Sequence, residues 1–139
     1  MITNEHYYRA LNIMDRVEEV RTERKISRTT LGKQLGHTIA YYQAFYDSCR
    51  AIKVISVIKF AKVLDVSVEY LLTGKKKEPY KQFNLNYDYI INSKVKGLPN
   101  SLKVIKSNLK LGHCLDMSTK TLYEFEKQLK VPAIKLIGG

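Results

Sequence analysis

The stretch Leu31-Gly32-Lys33-Gln34-Leu35-Gly36 sets the tightest limit on how this chain can fold. Its two leucines recur at the i, i+4 spacing of one helical face. Gly36 ends that face with the residue that most readily takes the left-handed conformation past a helix C-terminus. Ser27 stands before the stretch as an N-cap, and Thr38 is placed to cap a further helix two residues beyond the glycine. Two short helices must therefore cross steeply, and Gly32 keeps their closest approach open. Leu31, Leu35, Tyr42 and Phe45 then turn to a core. Ile39, Ala40, Gln43 and Ala44 are left on the outward face of the second helix, near its N-terminus.

The same reasoning extends over residues 1–74 and predicts five short helices, at 10–25, 28–35, 39–48, 54–64 and 68–72. The first carries Leu11, Met14, Val17 and Val20 on one face, and the fourth carries Val57, Phe60, Ala61 and Leu64. Ser67 caps the last, and Gly74 closes it. No stretch alternates as a strand does, so the fold class is all-α. Lysines and Pro79 after Gly74 mark residues 75–80 as a basic, solvated linker, and residues 81–139 as a second small helical domain. That second part repeats the first. Residues 117–139 lie over 52–74 at a constant offset of 65 without gaps, pairing Val57 with Leu122, Phe60 with Phe125, Leu64 with Leu129, Val66 with Val131 and Gly74 with Gly139. Upstream of Met117 the register slips, and residues 101–109 hold the counterpart of the 39–48 helix to within one or two positions.

Charge narrows the partner. The chain carries 24 Lys and Arg against 13 Asp and Glu, a net of +11. Residues 1–74 hold 11 basic and 8 acidic side chains, and residues 75–139 hold 13 and 5, so the excess sits in the second half. Nucleic acid is the commonest partner of a small basic protein. A membrane partner is disfavoured, because no apolar run approaches the ~18–20 residues of a spanning helix. The polar N-terminus lacks a signal-peptide core, and with only two cysteines, Cys49 and Cys114, a reduced, cytoplasmic setting is expected. His6, His37 and His113 are scattered singly, so neither a metal site nor a cofactor is expected. No nucleophile stands beside a base, and no glycine-rich phosphate loop is present, so an enzyme is not expected.

On these residues the chain resembles the Cro/CI-type (XRE) helix-turn-helix family of phage and bacterial transcription regulators. Val17, Val20 and Arg21 match its first helix, and Leu31, Gly32, Leu35 and Gly36 match its second helix and turn. Val57, Ala61 and Leu64 match its fourth helix, and Val66-Ser67-Val68-Glu69-Tyr70-Leu71-Leu72-Thr73-Gly74 is close to its closing helix. The resemblance implies a lambda-repressor-like five-helix domain that binds double-stranded DNA with the 39–48 helix in the major groove. By position Ile39, Ala40, Gln43 and Ala44 would face bases, with Arg28, Thr38 and Arg50 near phosphates. Gln43 suits adenine, and Ile39 or Ala40 suits a thymine methyl. The chain departs from the family at Arg28, where Gln is usual, and at Tyr42, Tyr46 and Ser48, which replace its Ile, Glu and Gly.

Two further expectations concern the second half. Lys103, Lys106 and Lys110 recur at three- and four-residue spacing, which makes a basic stripe on a helix and a second, degenerate DNA-contacting unit. Its alternative role is to form a homodimer through Leu98, Leu102, Ile134 and Ile137. Tyr80, Phe83, Tyr87 and Tyr89 are expected to pack a first helix of this part onto its neighbours, with stacking on single-stranded bases as the alternative. The competing function is a protein-binding module of the antirepressor or antitoxin kind. It would grip a partner through the tyrosine-rich 39–48 helix, with DNA binding weak or lost, since tyrosine is favoured at protein interfaces.

Overall fold

The computed structural model describes residues 4–36, 52–113 and 116–138, with the side chains of the first helix from Ile13 onward. Among these residues the protein is all-helical. Its eight helices are α1 (Asn4–Glu23), α2 (Arg28–Gln34), α3 (Val54–Leu64), α4 (Val68–Thr73), α5 (Asp88–Ile91), α6 (Asn100–Lys110), α7 (Thr119–Leu129) and α8 (Ala133–Leu136). No helix among the described residues is long and apolar enough to cross a membrane.

The helix ends follow the local chemistry. α1 begins six residues before the expected start, because Glu5 to Arg9 contain no helix breaker. It closes on Lys25, held at φ 56, with Ile26 N donating to Arg21 O and Lys25 N to Thr22 O. This is a Schellman closure in which a lysine stands where glycine is usual. Ser27 accepts from Thr30 N at 3.1 Å and starts α2, and Gly36 follows it at φ 78, as the sequence predicts. Ser67 likewise accepts from Tyr70 N and starts α4. Gly74 ends α4 at φ 81, where a side chain would also meet the Arg16 guanidinium at 3.2 Å.

α1 packs against α3, α4 and α7, and α4 packs against both α3 and α8. One cluster of buried side chains runs through both halves, from Ile13, Met14, Val17 and Val20 to Leu122, Phe125, Leu136 and Ile137. Tyr123 of α7 donates its hydroxyl to Leu72 O inside this cluster, and Asn86 N donates to Ile137 O. Leu98, Leu102 and Ile137 are therefore core residues, buried to 5%, 1% and 0% exposure, and do not supply a dimer surface. The apolar periodicity is real, but its partner is the rest of the same chain.

Two expected features take a different form. The linker after Gly74 is exposed yet tied down, because Ser67 pairs with Lys76 O and Glu78 O while Tyr80 N donates to Asp65 Oδ1. Lys77 bridges Glu19 and Glu23 of α1 at 3.1 and 2.7 Å. The aromatic segment that follows is not helical from 81 to 87. Tyr80, Phe83 and Tyr87 pack on the core from an irregular strap, and Tyr89 at the start of α5 stays 44% exposed.

Candidate nucleic-acid interface

α2 carries Arg28 in its first turn. The Arg28 guanidinium lies 3.1 Å from Glu18 Oε2, and the same carboxylate lies 2.8 Å from Arg21 Nη2. Glu18 thus bridges two arginines across α1 and α2, and Arg21 also donates to Ile26 O at the turn between them. Arg28 braces α2 on α1 while its side chain keeps 31% exposure, so it is a positioning residue that still reaches solvent. Thr38, Ile39, Ala40, Gln43, Ala44 and Arg50 lie outside the described residues, as do Tyr41, Tyr42 and Tyr46.

α6 is the second candidate surface. Leu102 and Leu109 bury one side of it, and Ile105 packs beside them. Asn100, Ser101, Lys103, Val104, Ser107 and Lys110 occupy the exposed side, and Leu111 caps its end. Of the expected lysine stripe, Lys103 and Lys110 point to solvent. Lys106 is half-buried and donates to Ser93 O at 2.5 Å, because the chain entering α6 folds back along it. That bond sets the 93–96 loop, with exposed Lys94 and Lys96, against the same helix.

The resulting surface is basic by sequence: residues 89–115 hold five lysines and no acidic side chain. Attention to lysine spacing alone misses Ser101, Val104 and Ser107, although their three-residue recurrence is a helical face in plain view. Long cations flanking small polar and apolar side chains suit a groove. Val104 among them is 57% exposed.

A cleft also opens between α4 and α8, lined by Arg16, Glu69, Lys75, Glu126, Lys130 and Pro132. Two of its charged groups serve the fold. Arg16 donates to Leu71 O at 2.9 Å, and Glu126 accepts from Ala133 N at 2.7 Å, so both satisfy helix termini. No group of His, Cys, Asp and Glu among the described residues is arranged to hold a metal ion.

No family model, curated protein or solved structure matches this chain.

Proposed function

We propose that this protein is a sequence-specific, double-stranded DNA-binding regulator of the repressor kind, with XRE-like helix-turn-helix character in residues 1–74. The observation that carries the reading is the exposed face of α6, where Lys103 and Lys110 flank Ser101, Val104 and Ser107 inside a stretch free of acidic groups. Lysines on such a face bind phosphates and release condensed counterions, so affinity falls steeply with salt. In the first half, Arg28 and the 39–48 segment with Ile39, Ala40, Gln43 and Ala44 supply the corresponding contacts by sequence.

The test is selection from a random duplex pool by the full chain at two salt concentrations. A defined enriched motif, bound more weakly at the higher salt, is the expected result. Sequence-blind binding, or none, refutes the regulator reading. Replacing Lys103 and Lys110 by alanine should reduce the slope of log K against log salt by about 1.8, at ~0.9 for each phosphate no longer neutralised. A second reading, a protein-binding module, is favoured by one observation: Val104 and Leu111 are exposed to 57% and 65% on the same face. In that case association with a protein partner should survive salt that dissociates DNA.

A further inference from the structure

Resting on the DNA-binding reading, the structure assigns a twofold pseudo-axis within the single chain: one molecule does what two repressor subunits would do, and binds one duplex with two unlike half-sites. The axis is marked by an isolated antiparallel bridge between Lys53 and Ser118. Those two residues are each other's counterparts at the offset of 65. A residue can face its own counterpart in antiparallel fashion only at or near a twofold axis, as in an isologous dimer contact. The two hydrogen bonds beside it obey the same exchange. Val54 N donates to Met117 O at 2.9 Å, and Thr119 N donates to Ile52 O at 2.6 Å. Moving each donor and acceptor of one bond by 65 produces the other.

The symmetry continues outward. α3 (Val54–Leu64) and α7 (Thr119–Leu129) coincide at both ends under the offset. Each closes on a non-glycine residue in the left-handed region, Asp65 at φ 54 and Lys130 at φ 56, again counterparts. α4 and α8 are counterparts too, and they pack against one another. Within each half the same packing recurs, α3 on α4 and α7 on α8. The symmetry is confined to the paired segments: upstream of them α1 has a helix of 20 residues, where the second half has the irregular 81–87 strap and the four-residue α5, and α2 falls by the same offset on residues 93–99, which are not helical.

A built-in axis has two consequences for the ligand. The counterpart segments that meet about this axis, α4 on α8 and Lys53 on Ser118, are already paired within one chain, so a single chain presents both halves to the duplex. The residues leading into the paired segments differ between the halves, so the duplex they read is not a perfect palindrome.

The experiment takes the duplexes enriched from the random pool and weighs the complex with the full chain by native mass spectrometry. It also repeats the selection with a Lys103→Ala/Lys110→Ala variant, whose exposed positions leave the core intact and whose fold is checked by circular dichroism. One chain per duplex, an asymmetric motif, and loss of base preference in one half of the motif only are the expected results. Two chains on one duplex with a palindromic motif would overturn the pseudo-dimer while leaving the regulator function standing. Failure to enrich any sequence would overturn both.

Discussion

Thr119 offers the sharpest test of the packing around the pseudo-axis. It is the first residue of α7, is fully buried, and its hydroxyl has no hydrogen-bond partner among the described residues. Its backbone N–H is satisfied by Ile52 O, so only the side-chain oxygen is stranded. An unpaired buried hydroxyl costs about 1–3 kcal/mol. Its counterpart across the axis is Val54, equally buried, which shows that a valine is tolerated at this place in the pattern. Thr119→Val exchanges the hydroxyl for a methyl of nearly the same size and keeps the backbone bond. We expect a gain of about 1–2 kcal/mol, which raises Tm by about 3–8 °C for a chain of this length. Thr119→Ser is the control, because it keeps the stranded hydroxyl and removes a buried methyl, at a loss of about 1 kcal/mol. Thermal and urea unfolding followed by circular dichroism read both. A Thr119→Val protein less stable than the parent would refute the argument, since the hydroxyl would then have to be paired.

Other perturbations probe the helix ends and the α1 anchor. Lys130→Gly relieves a left-handed lysine and should stabilise by about 1 kcal/mol, whereas Asp65→Gly should gain less, because Asp65 also accepts from Tyr80 N; paired urea midpoints separate them. Asp116→Ala should cost about 1 kcal/mol in urea unfolding, because Asp116 Oδ1 accepts from Ile55 N in the first turn of α3 and from the Tyr87 hydroxyl, both at 3.3 Å. Glu19 is held below the usual carboxylate range, first by the Tyr70 hydroxyl and then by Lys77. Its stabilising contribution is therefore present above its unfolded value and lost as pH falls through the lowered folded one. The stability difference between the parent and Glu19→Gln should thus be steady near neutral pH and shrink in acid, as read by urea titrations at successive pH values.

Much of this molecule is legible in its sequence because the signals are local. Ser27, Ser67, Gly36 and Gly74 bound their helices within one turn, and α3 matches its expected limits at both ends. The all-helical class and the constant offset between the halves follow from apolar spacing along the chain, which needs no knowledge of what packs where. Lys103 and Lys110 follow from the same spacing. What tertiary structure decided is each feature whose partner lies far away in sequence. Lys53, with no side-chain cap of its own, begins a helix whose Ile55 N–H is capped by Asp116, 61 residues further along the chain. Lys106 shares the lysine spacing but is drawn to Ser93 O, and Leu98, Leu102 and Ile137, apolar enough for a dimer face, are consumed by the core. The repeat itself could be read from the sequence. That its two copies meet about an axis through Lys53 and Ser118 could not, because periodicity records which face of a helix is buried and carries no record of what buries it.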